Sequence, residues 1–201
     1  NYRMIQTGSG SIPLDPLTRA DLLHQQAGQL LDNLHLVELL SPHGPVTPTG
    51  SYYLNVMVYP DIDIYLPRLT IEQMFMVGGR LADSEKVLQV VFEQNDPMMP
   101  GGLYLKLRIA VGDWGRPWKL DLWSIDPALL EQKMAPMRHF STCLTPELRQ
   151  QIIRYKLSIL TPALRTPKYS GYFIYKAFID EKLSDYTQVT RYLVANGIQM
   201  A

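Results

Sequence analysis

Cysteine is almost absent from this chain: Cys143 is the only one among 201 residues. That excludes an internal disulfide and any cysteine-based metal cluster. The four histidines, His24, His35, His43 and His139, are scattered and lack the spacing of a zinc motif. No apolar run approaches the ~20 residues a membrane helix needs. Residues 1–10 lack the charged-then-apolar order of a signal segment, so the expectation is a cytoplasmic protein with no membrane partner. Neither sign of charge is in excess, with 19 Lys plus Arg against 19 Asp plus Glu. Proteins that live on long nucleic acid carry a basic excess, because each phosphate contact wants a cation. The balance therefore favours a small-molecule partner, and a nucleic-acid partner is not expected.

Internal repeats and low-complexity tracts are also missing. What is there is a globular composition, 46% hydrophobic and 19% charged. The length suits one sizeable core with a small satellite. Residues 1–17, with Gly8, Gly10, Pro13 and Pro16, read as an irregular lead-in. Thr18 and Asp21 then open a helix in the manner of a capping box. Leu23, Ala27, Leu30, Leu31 and Leu34 give it one apolar face, and Ser41, Pro42 and Gly44 stop it near Leu40. The stretch from Pro45 to Leu66 reads as extended. Leu69 to Leu81 is a short helix weakened near its end by Gly78 and Gly79. Strands follow at Val87 to Phe92, Leu103 to Val111 and Trp118 to Ile125. Beyond Asp126 the pattern becomes helical, at Ala128 to Met137, Pro146 to Leu160, Tyr172 to Leu183 and Tyr186 to Ala195. The predicted architecture is α+β: a mixed β-sheet flanked by helices over 1–126, followed by a small C-terminal helical segment over 127–201.

Chemistry concentrates in Asp61-Ile62-Asp63-Ile64-Tyr65-Leu66. Strand side chains alternate, so Asp61, Asp63 and Tyr65 share one face while Ile62, Ile64 and Leu66 point into a core. The two aspartate backbones stand roughly 6.6 Å apart along the strand. Neighbouring carboxylates raise each other's proton affinity unless a cation sits between them, and magnesium with oxygen ligands is the natural one. Asp121, the acidic residue of the otherwise apolar segment Trp118 to Ile125, offers a third carboxylate. Convergence of the three would meet the requirement of a two-metal phosphoryl-transfer site. Thr49-Gly50-Ser51 supplies a permissive turn that lets backbone approach a phosphate.

Gly50-Ser51, a nine-residue spacer, then Asp61-Ile62-Asp63-Ile64 resembles the signature of the DNA polymerase β-like nucleotidyltransferase superfamily. Asp121 in Lys119-Leu120-Asp121-Leu122-Trp123 matches the place of that family's third carboxylate. The resemblance covers about residues 20–126, and its outline continues into a helical tail, as in antibiotic-modifying nucleotidyltransferases and small bacterial members. It implies that Asp61 and Asp63 bind two Mg2+ ions, and that Asp121 binds the catalytic ion and accepts the proton of the attacking hydroxyl. It also implies that Gly50 and Ser51 hold the triphosphate of an NTP, with ATP the expected one, and that a small molecule or protein supplies the hydroxyl. The spacer Tyr52 to Pro60 departs from the pattern, being bulky and β-branched where the family has a short helix of small and polar residues.

Other readings stand beside this one. A degenerate member would bind nucleotide or a protein partner, as antitoxin-like relatives do; a tailing enzyme acting on RNA ends would need a basic channel beside Asp121. In the plainest reading, Asp61 and Asp63 lie on a solvated sheet face and Asp121 pairs with Lys119 or Arg108. Lys106, Arg108 and Lys119 read as solvated, Arg154 and Lys156 as weak candidates to reach over a nucleotide, and Arg80 as an ordinary helix-end cation. Tyr169, Tyr172, Phe173, Tyr175 and Phe178 read as packing. His139 and Cys143 form a pair that nothing in the sequence orients.

Overall fold

Asp15 starts the first helix, three residues before the expected opening at Thr18. Its Oδ2 accepts from the amides of Leu17 and Thr18 at 3.1 and 3.3 Å, and Pro16 occupies the first helical position. Proline there loses no needed hydrogen bond and arrives with helical φ. The computed structural model describes residues 14–200, so most of the expected lead-in lies outside the described residues. Helix α1 (Pro16–Asn33) ends where His35 turns left-handed at φ +49°, and α2 (Leu36–Leu40) resumes beyond it. The single helix expected to Leu40 is therefore two.

The stretch expected to be extended is also broken. Strand β1 (Thr47–Thr49) leads into one helical turn, α3 (Gly50–Tyr53), before β2 (Asp61–Leu66). Leu54, Val56 and Val58 are buried, and the turn is what carries them off the sheet into a second core. Pro48 is tolerated because β1 is an edge strand. Helix α4 (Ile71–Ala82) opens with a capping box between Thr70 and Gln73. It runs through Gly78 rather than weakening there. A Cβ on Gly78 would lie 3.4 Å from Val90 Cγ1, an ordinary van der Waals contact, so the helix packs on the sheet at this point without needing glycine.

Strands β3 (Val87–Gln94), β4 (Leu103–Ile109) and β5 (Trp118–Ser124) complete a five-stranded sheet of order β1-β2-β5-β4-β3. Only β2 and β5 are parallel neighbours; the other pairings are antiparallel. Ile62, Ile64, Leu105, Leu107, Leu120 and Leu122 form the core face, buried under Leu23 and Ala27 of α1 and Met74 and Val77 of α4. Ser124 fastens this layer, accepting from the Leu69 amide at 2.8 Å and donating to the Pro67 carbonyl at 3.0 Å.

Helices α5 (Pro127–Cys143), α6 (Pro146–Ser158), α7 (Ser170–Ile179) and α8 (Tyr186–Ala195) build the second core around Phe140, Ile152, Ile153, Ile174 and Phe178. Ala20, Leu54, Val56, Val58 and Tyr65 join them, so the helical segment packs on the sheet layer. Arg149 of α6 pins that contact, donating to the Asn55 carbonyl at 2.7 Å and to Asp21 at 2.6 Å. No helix among the described residues is long and apolar enough to cross a membrane.

The layering predicts how strand substitutions divide. Leu120→Ala, at the fully buried centre of β5, should lower the unfolding free energy by about 2–5 kcal/mol in urea titration. Val91→Ala, half-buried on the opposite face of β3, should change it by less than about 1 kcal/mol.

Candidate active site

The register arranges the second face of the sheet as a grid. One row runs Thr49, Asp63, Asp121, Lys106, Val91 across the five strands. The row on one side runs Asp61, Lys119, Arg108, Gln89; the row on the other runs Tyr65, Trp123, Tyr104, Glu93. Asp63 and Asp121 are thus direct partners on neighbouring parallel strands, about 4.8 Å apart between backbones. Asp61 lies one pleat away on the same face. The three carboxylates share one small region, because β5 pairs in parallel with β2.

They are not solvated. The side chains of Asp61 and Asp121 are 13% and 8% exposed. Burial pushes the Asp63 carboxyl up to about 8, helped by the charges of Asp61 and Asp121. Burial also raises Asp61, although Lys119 pulls the other way. Lys119 is the local countercharge: its ammonium pairs with Asp121 and lies 3.6 Å from Asp61 Oδ1. Burial works against that ammonium, but Asp61 and Asp121 outweigh it and raise Lys119 above its ordinary range. The pairing of Asp121 with Lys119 matches one half of the plain reading, and the burial of Asp61 and Asp63 contradicts the other. Tyr104 donates to Asp121 Oδ1 at 2.7 Å, a contact without a signal in the linear sequence beyond its place on the face shared with Lys106 and Arg108.

Gly50 and Ser51 stand against the same carboxylates. Gly50 has φ +62°, and a Cβ there would meet Asp63 Oδ2 at 2.9 Å, so both conformation and space demand glycine. The Ser51 hydroxyl accepts from Lys156 Nζ at 2.7 Å and shares a hydrogen bond with the Tyr175 hydroxyl at 2.9 Å. Lys156 also donates to the Val56 carbonyl at 2.7 Å. Burial lowers the Lys156 amine to about 7, with Asp61 and Asp63 opposing the drop. Of the two α6 residues considered for a nucleotide, Lys156 therefore turns inward, while Arg154 is exposed. Tyr175 likewise serves the site rather than packing alone. Arg80 is exposed on α4, the helix on the other face.

The donor set suits a hard divalent cation, which takes carboxylate oxygens. Asp61 Oδ1 is buried without a hydrogen-bond partner, an oxygen with lone pairs to give. No group of three or more His, Cys, Asp or Glu side chains among the described residues is drawn together around an ion position; the Lys119 ammonium pairs with Asp121 and lies beside Asp61. A metal would take over the charge that Lys119 now balances.

Away from this face, His139 and Cys143 do have an orienting group. Asp180, the C-cap of α7, lies 2.7 Å from His139 Nε2, and Cys143 Sγ lies 3.9 Å from His139 Nδ1. The sequence could not indicate it because Asp180 is brought across by the packing of α7 on α5.

The sequence matches no family model and no curated protein. Solved structures do match. A mutant of the Cid1 poly(U) polymerase bound to MgATP superposes with a TM-score of 0.54 at 17% identity, over 76% of this chain and 48% of that one. Cid1 with Mg 3′-dATP bound gives 0.53 at 17% identity, over 76% and 48%. The GLD-2/RNP-8 complex gives 0.53 at 13% identity, over 79% and 56%. The chain spans about half the length of the structures it matches. At these identities the likeness is one of fold: a mixed sheet flanked by helices, shared with these structures.

Two measurements follow from the electrostatics. Asp63 titrates near 3.8 when unfolded and near 8 when folded, so between those values the folded state holds the extra proton. Its contribution to stability is full below the lower value and lost as pH rises to the upper one. Melting temperature in EDTA should therefore carry a falling component between about pH 4 and 8 that Asp63→Asn removes. Lys119→Met leaves the carboxylates without their internal cation. It should lower the melting temperature in EDTA and enlarge the rise produced by Mg2+ relative to the native chain.

Proposed function

We propose that the chain is a magnesium-dependent nucleotidyltransferase that moves a nucleoside monophosphate from an NTP to an acceptor hydroxyl. The observation that carries this reading is the in-register pairing of Asp63 with Asp121, with Asp61 one pleat away and Gly50-Ser51 against Asp63. Its likeness in fold to proteins whose structures hold MgATP supports ATP as the first triphosphate to test.

Each residue has a role that its surroundings suit. Asp61 and Asp63 would hold the metal ions, two being expected, and Asp121 would join them on one. Magnesium held there would supply positive charge against the transferred phosphoryl and departing pyrophosphate. Gly50 lets its backbone approach the triphosphate, and Ser51 turns its hydroxyl to the phosphates. Lys156, held beside Ser51, supplies a cation there. Asp121 takes the proton of the attacking hydroxyl, and Tyr104 fixes its orientation through Oδ1. In this reading residues 1–126 carry the chemistry and 127–201 form the helical segment, which contributes Lys156 and Tyr175. Small-molecule acceptors suit the neutral net charge.

A second reading has one observation in its favour. Lys119 already neutralises the carboxylates, as it would in a non-catalytic member that binds nucleotide or a protein partner. Calorimetric titration with ATP, with and without Mg2+, separates the two. Native chain should bind ATP in a metal-dependent manner and Asp63→Ala should lose that dependence. Asp121→Asn should keep triphosphate binding but cut transfer of labelled AMP by about 100-fold or more. Metal-independent binding, equal in native and Asp63→Ala chains, would leave the fold without the chemistry.

A further inference from the structure

His139 and Cys143 lie four residues apart on α5, so their side chains stand on one face of that helix. Cys143 Sγ lies 3.9 Å from His139 Nδ1, and Asp180 Oδ1 lies 2.7 Å from Nε2 on the far side of the ring. The imidazole therefore stands between a thiol and a carboxylate. Asp180 accepts the proton on Nε2, which leaves a lone pair at Nδ1 facing the thiol. Because the ring separates them, the thiol and the carboxylate do not converge on one point, and no group of three such side chains among the described residues is drawn around an ion position. Thiol, imidazole and carboxylate stand in the order of a nucleophile, its base and the group that orients the base.

The surroundings leave the thiol within reach. Cys143 packs in part against the second core and stays partly exposed, while the His139 and Asp180 side chains are 51% and 32% exposed. The Phe140 ring borders the same corner, 5.6 Å from that of His139 and 5.7 Å from that of Tyr172. The charged and titratable neighbours are Arg138, which pairs with Glu131 on α5, and Lys176, Glu181, Tyr172 and Tyr192, which share one electrostatic neighbourhood with Asp180. Cys143 is the last residue of α5, where the carbonyl end of the helix disfavours an anion. A thiolate there needs a local cation, and His139 supplies one when it takes the proton. We infer that Cys143 is a thiol–disulfide exchange site for a small disulfide, with His139 as its base and Asp180 as a positioning residue. The thiol proton passes to Nδ1, and the thiolate sulfur attacks one sulfur of the disulfide. A new S–S bond forms at Cys143 as the old one breaks. The departing thiolate takes the proton from Nδ1 and leaves as a thiol. Cys143 is oxidised and the departing sulfur is reduced, so the disulfide is the sole co-reactant. Cys143 is the only cysteine among the 201 residues, so no second thiol of this chain resolves the adduct, and the product is a mixed disulfide. The site does not depend on the transferase reading.

The test uses the full chain and dithiodipyridine, an uncharged aromatic disulfide. Release of thiopyridone is followed by absorbance between about pH 6 and pH 9.5, and mass spectrometry locates the adduct. Near pH 7 the native chain should react about 5-fold faster than His139→Gln, with Asp180→Asn between them. The rates should converge by about pH 9.5, where solvent deprotonates a thiol without help. Near pH 7 the native chain should also react faster folded than unfolded in urea, a comparison that needs no variant. Equal rates for native and His139→Gln at every pH overturn the proposal, because the imidazole then does not serve the thiol. A ratio that stays constant with pH overturns it as well, since altered access alone produces that result. A folded native chain slower than the unfolded one at neutral pH is the third contrary outcome.

Discussion

Three carboxylates held nearly out of water on two adjacent parallel strands set the terms for the rest of this molecule. Such a cluster is costly unless its charge is compensated. The chain meets the cost with protonation pressure on Asp63, an ammonium from Lys119 and a hydroxyl from Tyr104. None of these groups belongs to the apolar machinery of folding. Each follows from the need to keep Asp61, Asp63 and Asp121 close together.

The two cores serve that arrangement from opposite sides. Under the sheet, aliphatic side chains of alternate strand positions lock the register, since a slip of one residue would turn every aspartate into the core. On the site side, the helical segment does more than cover the sheet. Arg149 anchors α6 to α1 and to Asn55, and two turns further along the helix Lys156 reaches Ser51. A buried amine beside a buried carboxylate pair ties the second core electrostatically to the first.

Lys119 gives the face its internal countercharge: its ammonium pairs with Asp121 and lies 3.6 Å from Asp61 Oδ1, so part of the carboxylate charge is balanced from within the sheet.

Periodicity alone determined a good deal of this. The alternation in Asp61 to Leu66 and Trp118 to Ser124 is local, because adjacent strand residues must point to opposite faces, so it placed each aspartate opposite the core without any fold. The turn chemistry of Gly50 is local in the same sense. Asp15 was not selected as a cap over Thr18, and the break at His35 and the turn at α3 were not visible, because competition between caps and the pull of Leu54, Val56 and Val58 into a second core are settled by packing. Strand order was beyond reach as well. That β5 inserts between β2 and β4, and so sets Asp63 against Asp121 and Lys106 beyond both, depends on which edges pair across dozens of residues. Lys156, Tyr175 and Asp180 reach their partners from sequence separations of 105, 124 and 41 residues. Only tertiary structure decides such contacts, because their energy is released after the chain between them has already been ordered.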